Sequence, residues 1–478
     1  MICTISARLL STVVLLLLLT TLMPRQLDAW SIQQPPTNSY VVMISIDGLV
    51  PDYYTKADRY RLKIPNLRQL CRQGSFVESL QTIYPSITYP SHTTLVTGVR
   101  PARHGVVSNE VLTDPNVHSE KDWYWYARMI KAPTLWGEAR KAGLKTAAIG
   151  WPVTVGAEID YHLPEIWRPG EFDTNLQTIV EHSTPGLSEK IFASRPQTGI
   201  RKFTDELRTY AAETILTNYK PNLLLLHLIE LDSVEHTSGP FSTEAFAKLE
   251  EIDALIGRLT NAVQTVGISS QTTFIIVSDH GFMKISKQFN PTALLIKEGL
   301  MTLSQNGQIK DWQAMIYGHG GSVAVIARQT GNQALEQRIV DIFETIARKP
   351  NSPIYRVVKR DELARLGANP MAVCFLDAAP DYQMSDQITT VLTEQSKDKG
   401  VHGYLPSRPE MFASLIACGR GIKSGRRESF TQNINVAPTV AALLGFILPD
   451  AEGRPIRELL TIPVPNPARK QPVLGKQK

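Results

Sequence analysis

Three short apolar runs in this chain stop abruptly at residues that carry acids or histidines. Thr272-Thr273-Phe274-Ile275-Ile276-Val277 ends in Ser278-Asp279-His280-Gly281, and Tyr40-Val41-Val42-Met43-Ile44-Ser45-Ile46 ends in Asp47-Gly48. The run 223–229 ends in Glu230-Leu231-Asp232-Ser233-Val234-Glu235-His236. Apolar runs of this length without alternation predict strands buried on both faces, as in a parallel sheet. Helical spacing over 64–73, 134–142, 205–218, 241–265 and 435–444 separates them, with further strands at 145–149, 322–327 and 412–417. The alternation predicts an α/β fold built on a central, mostly parallel sheet with helices on both faces. In such sheets ligands bind beyond the carboxyl ends of the strands, where Asp47, Asp232, His236, Asp279 and His280 would stand. His227, inside an apolar run, reads as a packed core histidine.

The segment Thr88-Tyr89-Pro90-Ser91-His92 adds a hydroxyl to these acids and imidazoles. Pro90 suits the first turn of a helix reaching Thr97, which puts Thr88 in the turn just ahead of it. Exposed amides and the positive dipole end there favour a phosphoryl group, although a capping threonine gives the same local pattern. Asp and His are ligands suited to divalent zinc, and Asp232 and His236, four apart, share a face if the segment is helical. Gly281 lets the chain turn away sharply from whatever Asp279 and His280 hold. Asn109 could donate an uncharged hydrogen bond to a transition-state oxygen, although taken alone it reads as a loop asparagine. The aromatic cluster Trp123, Tyr124, Trp125 and Tyr126 packs or walls a cleft, while Gly318-His319-Gly320-Gly321 and Gly400-Val401-His402-Gly403 place two more histidines in turns.

At 478 residues there is room for one large α/β domain with an insertion. Residues 30–281 and 400–460 read as the core and 282–399 as an inserted or edge subdomain. Arg8 followed by an apolar run from Leu9 to Met23 predicts a secretory signal peptide over 1–29 in preference to an uncleaved membrane anchor, and hence a secreted or periplasmic protein with no stable membrane span after cleavage. The net charge of +5 is concentrated in the Pro-rich tail 461–478, where Arg469, Lys470, Lys476 and Lys478 meet no acid. That tail reads as a disordered end, and the near-neutral body argues against binding a nucleic-acid duplex. Beyond the signal segment only Cys71, Cys374 and Cys418 remain, so at most one disulfide can form.

Taken as a set and in this order, Asp47, Thr88, Asp232…His236, Asp279-His280 and His402 resemble the type I phosphodiesterase / nucleotide pyrophosphatase family of the alkaline phosphatase superfamily, the family of the ectonucleotide pyrophosphatase/phosphodiesterases. The resemblance implies two Zn2+ per chain. Asp47, Thr88, Asp279 and His280 would hold one, and Asp232, His236 and His402 the other. It also implies that Thr88 is the nucleophile of a phosphothreonine intermediate, that Asn109 is the transition-state donor, and that the substrate is a small phosphodiester or nucleotide contacted by Tyr89, Asn109 and Trp151. Thr88-Tyr89-Pro90-Ser91-His92 stands where the family often has Thr-Phe-Pro-Asn-His, and Glu230-Leu231-Asp232 where it has Glu-Pro-Asp; neither change removes a ligand. A sulfatase would need a Cys or Ser in place of Thr88. A phosphomonoesterase or phosphonate hydrolase of the same superfamily is the competing enzymatic reading, and a zinc-dependent binding protein without activity is the competing reading of another class.

Overall fold

The computed structural model describes residues 38–113, 123–167, 176–193 and 202–464. The predicted signal peptide, and the tail from 465 onward, lie outside the described residues. The main sheet has nine strands. Those that position the site are β1 (Tyr40–Ile46), β2 (Ser75–Gln81), β3 (Thr146–Ile149), β4 (Tyr161–Leu163), β5 (Leu223–Leu228), β6 (Thr272–Val277) and β7 (Ala413–Gly419). Their spatial order is β2-β7-β6-β1-β5-β3-β4, and β7 alone runs antiparallel to its neighbours β2 and β6. β1 lies at the centre, parallel to both β5 and β6.

Alternate side chains of these three strands enter two separate cores, which is why the runs are apolar without a break. Val42, Ile44, Ile46, Leu224, Leu226 and Ile276 face one core with the helices Pro65–Gln73, Asp205–Tyr219 and Thr243–Thr265. Val41, Met43, Leu223, Leu225 and Ile275 face the other, with Thr88–Thr97, Leu135–Lys141 and Val436–Leu444. Each leucine of β5 is fully buried, which stabilises the fold by about 1.5–3 kcal/mol per side chain.

A third core, drawn from Met283 to Met411 together with Tyr84, belongs to a four-stranded antiparallel sheet. In spatial order its strands are Ala314–Tyr317, Ser322–Ala327, Ala372–Ala378 and Ile354–Lys359, and the helix Gln333–Ala347 covers it. Cys71, Cys374 and Cys418 are free thiols. Among the described residues no helix is long and apolar enough to cross a membrane.

Candidate metal centre and active site

Parallel register brings the strand ends together. Ile46 is level with Leu228, and Ser45 with Val277, so the residues after β1, β5 and β6 emerge on one edge within about a residue of each other. Asp47 follows β1 directly, its N–H donating to Leu228 O at 2.9 Å. Asp279 and His280 follow β6. After β5 the chain enters the helix Glu230–Ser238, which carries Asp232 and His236 one turn apart.

Two groups of ligand-type side chains result. Asp47, Asp279 and His280 form the first, and Asp232, His236 and His402 the second, with the donor atoms of each within 4.8 Å of one another. In the first, His280 Nε2 is 3.3 Å from Asp47 Oδ1 and 3.1 Å from Asp279 Oδ2. In the second, Asp232 Oδ1 is 3.5 Å from His236 Nε2 and 3.6 Å from His402 Nε2. The rings of His280 and His402 stack at 3.5 Å, so the groups adjoin.

Backbone carbonyls set the histidine tautomers. Nδ1 of His236 donates to Gly400 O at 3.0 Å, that of His402 to Ser86 O at 3.1 Å, and that of His280 to Gly281 O at 3.2 Å. Each Nε2 lone pair is thereby aimed into its group, the outer-sphere arrangement typical of metal-binding histidines. Within these two groups, three buried carboxylate oxygens lack any hydrogen-bond partner: Asp47 Oδ1, Asp279 Oδ2 and Asp232 Oδ1. Uncompensated buried anions are costly, and these are the very atoms that converge with the Nε2 atoms. The donor set therefore fits two divalent cations.

The electrostatics agree. Burial, Asp279 and Asp232 push the Asp47 carboxyl well above its usual range. At Asp279 burial acts in the same sense, but His280 and His92 outweigh it and hold the carboxyl below its usual range. Burial lowers His280, yet Asp279 and Asp47 bring it up to about 9. Carboxylates crowded to this degree bind protons or cations.

Thr88 lies beside the first group, with Oγ1 3.4 Å from His280 Nε2. It is the first residue of the helix Thr88–Thr97, not part of a turn ahead of it, and Ile87 is the N-cap. The expected row of free amides is also absent. Tyr89 N–H donates to Asn109 Oδ1 at 2.9 Å, Pro90 has no N–H, and Ser91 N–H bonds Ile87 O. Of the first-turn amides, that leaves only the Thr88 N–H available to an anion. Because Asn109 spends its carbonyl on Tyr89, its NH2 group is left for a ligand.

A cavity of about 280 Å³ opens above both groups, lined by Thr88, Asn109, Trp123, Trp167, Tyr317 and His319 among others. His319, read from the sequence only as a loop residue, thus stands on its wall. Trp123 stacks on Trp167 at 4.8 Å, so this part of the aromatic cluster walls the cleft as well as packing. Tyr89 reaches the cavity but is 1% exposed, its ring edge-on to Trp123, and offers little free face.

Trp151 does not line the cavity. It is wholly buried, its ring edge-on to His92, because it leaves β3 toward the core shared with Leu95 and Leu135. Gly281 needs no left-handed backbone either. Its missing Cβ matters because a side chain there would sit 2.0 Å from Glu410 O. Sequence reasoning missed Glu165 and underread His227, which is buried as expected but bonds Asp47; the one signal was a histidine interrupting a leucine run.

Fold and site together define an α/β protein with a paired Asp/His metal-type centre beside a helix-borne threonine. A sequence model of the type I phosphodiesterase / nucleotide pyrophosphatase family matches residues 41–405. The chain belongs to that family of hydrolases. It is 25% identical over 428 residues to an uncharacterized pyrophosphatase/phosphodiesterase of Schizosaccharomyces pombe, covering 85% of this chain and 77% of that one. Over 456 residues it is 24% identical to ectonucleotide pyrophosphatase/phosphodiesterase family member 1 of Mus musculus, covering 91% of this chain but only 44% of the mouse protein. A bis(5'-adenosyl)-triphosphatase of Bos taurus is 23% identical over 423 residues, covering 85% of this chain and 78% of that one. Human ectonucleotide pyrophosphatase/phosphodiesterase 5 shares the fold, with a TM-score of 0.61 at 18% identity over 89% of this chain and all of that one.

Proposed function

We propose that this chain is an exported two-zinc phosphodiesterase / nucleotide pyrophosphatase that works through a phosphothreonine intermediate. One observation carries the reading: Thr88 Oγ1 stands at the first of two adjoining Asp/His groups whose unpartnered atoms all face inward. Asp47, Asp279 and His280 would hold one zinc beside Thr88, and Asp232, His236 and His402 the other. Such a pair supplies Lewis acidity that lets a hydroxyl and a water act as nucleophiles at neutral pH.

The chain's own residues do the positioning. The helix start fixes Thr88 Oγ1 at the cavity floor, and the Thr88 N–H and the Asn109 NH2 receive charge on the phosphoryl oxygens. Attack forms the Oγ1–P bond as the bond to the leaving alcohol or phosphate breaks. Water then cleaves Oγ1–P, regenerating Thr88 and releasing the phosphoryl product. No Lys or Arg occurs among the described cavity-lining residues. This favours a singly charged diester over a monoester dianion. Relatives named as pyrophosphatases and as a bis(5'-adenosyl)-triphosphatase make nucleotides the first substrates to try. The signal-like segment at 1–29 makes export part of the reading, and N-terminal sequencing of the mature protein tests it.

The enzymatic claim is tested with nitrophenyl thymidine 5'-phosphate, bis(nitrophenyl) phosphate and nitrophenyl phosphate on the zinc-loaded protein. The diesters are expected to turn over faster than the monoester, and Thr88→Ala is expected to fall to background while still binding zinc. Undiminished turnover by Thr88→Ala would refute the nucleophile; a preference for the monoester would refute the substrate class.

A further inference from the structure

Behind the first group lies a buried chain of charged side chains that the proposed reaction does not use. Both ring nitrogens of His227 meet carboxylates: Nε2 is 3.0 Å from Asp47 Oδ2, and Nδ1 is 2.9 Å from Glu165 Oε2. Arg208, wholly buried, donates from Nη1 to the same Glu165 oxygen at 3.1 Å. That nitrogen also reaches His227 O at 3.1 Å and Gly150 O at 3.3 Å, while Nε donates to Phe203 O at 3.0 Å. Arg208 thus ties the ends of β3 and β5 to the segment after β4. The fold leaves room for it, since a Cβ on Gly150 would sit 2.1 Å from Nη1.

Stability alone does not explain these residues. β5 reads Leu-Leu-Leu-Leu-His-Leu, and its one polar side chain is wholly buried. Well-packed apolar replacements of buried ionic groups are often neutral or stabilising, so a sixth apolar residue would serve packing at least as well. What His227 does that a leucine cannot is take Asp47 Oδ2. With Oδ2 held, the carboxylate cannot rotate about its terminal torsion, and Oδ1 is presented to Asp279 and His280.

We propose that His227, backed by Glu165 and Arg208, is a positioning residue that orients Asp47 for metal binding in the first group; this rests on the two-metal reading above. By hydrogen bond the relay reaches only one of the two groups. Nothing in it touches Asp232, His236 or His402, so its loss acts selectively.

The experiment measures zinc affinity, site by site, by competition with a chromophoric chelator on the full chain. Wild type, His227→Leu and Glu165→Gln are compared, with thermal unfolding of each zinc-free protein alongside. Wild type is expected to bind two zinc ions. His227→Leu should lose about 10- to 100-fold in affinity at one site only. Glu165→Gln, which keeps shape but not charge, should weaken the same site less. Turnover in both variants should recover at saturating zinc, which a merely structural defect would not allow. Wild-type affinity at both sites in both variants overturns the positioning role, whatever happens to zinc-free stability. Should His227→Leu fail to fold, Glu165→Gln decides by the same measurement. A wild-type chain that takes up no divalent metal overturns the two-metal reading and this proposal with it.

Discussion

The proposed mechanism gives Asn109 two separable jobs, one at each end of its amide, which makes it the sharpest point at which to test the site. Its Oδ1 accepts the Tyr89 N–H at 2.9 Å, an amide left without an intrahelical partner at the start of the helix Thr88–Thr97. Under the proposed mechanism its NH2 would meet the phosphoryl oxygen beside Thr88. Asn109→Asp keeps an acceptor for Tyr89 but replaces the donor with an anion. Loss of one such preorganised donor costs about 10²–10³ in kcat, or roughly 3–4 kcal/mol of transition-state stabilisation. Asn109→Ala removes the acceptor too, and an orphaned, part-buried N–H adds about 1–3 kcal/mol of lost stability. The expected pattern is a comparable fall in kcat for both variants, with a lowered denaturation midpoint for Asn109→Ala alone. Steady-state kinetics on a nitrophenyl diester and urea unfolding read the two effects independently. A kcat for Asn109→Asp within threefold of wild type would show that the amide NH2 does not meet developing charge. An unchanged midpoint for Asn109→Ala would show that the Tyr89 bond contributes nothing to the fold.

Gly281→Ala puts a Cβ 2.0 Å from Glu410 O and 2.9 Å from Met411 C. Both are backbone atoms that cannot swing aside, so a loss of at least about 1–3 kcal/mol is expected, with lower zinc content because His280 must move. A Gly281→Ala protein with native melting temperature and zinc content refutes this. His104 is buried and neutral, Nδ1 accepting from Val106 N–H at 3.1 Å and Nε2 donating to Thr94 Oγ1 at 3.0 Å. Burial pushes it down to about 3 in the folded chain, whereas the unfolded chain titrates near 6.5. Below pH 6.5 the unfolded state therefore binds the extra proton. Stability present above that pH is lost as pH falls toward 3, by about 2 kcal/mol at pH 5 from this residue. Denaturation at pH 7 and pH 5 should show a smaller acid loss in His104→Gln than in wild type, and equal losses would refute the assignment.

The parts of the site that are legible in the sequence share one physical property. Asp47, Asp279 and His280 stand within three residues of the carboxyl end of a parallel strand, Asp232 and His236 on the short helix that follows another, and the end of an apolar run marks that place in one dimension. In a parallel sheet of matched register, β6, β1 and β5 stop level, so where a run stops becomes a position in space. No such rule governs loops. His402 and Asn109 were reachable only through resemblance to a family, and His319 and Trp167 carry no local mark of their place on the cavity wall.

Three other features fail to show for a related reason: they depend on which element lies beside which. Glu165 and His227 are 62 positions apart and meet beside Gly150, just past the end of β3, which lies between β4 and β5, an order that no strand encodes alone. Trp151 follows β3 much as Asp47 follows β1, yet the chain turns it into the core. Gly281 looks like a turn glycine, but its constraint comes from the backbone at Glu410 and Met411. The same ordering that hides the Arg208–Glu165–His227 relay from the sequence also gives it its selectivity. β5 sits next to β1, so His227 reaches Asp47 from the side away from Asp279. The relay can fix one carboxylate oxygen and leave the other free to face the group opposite.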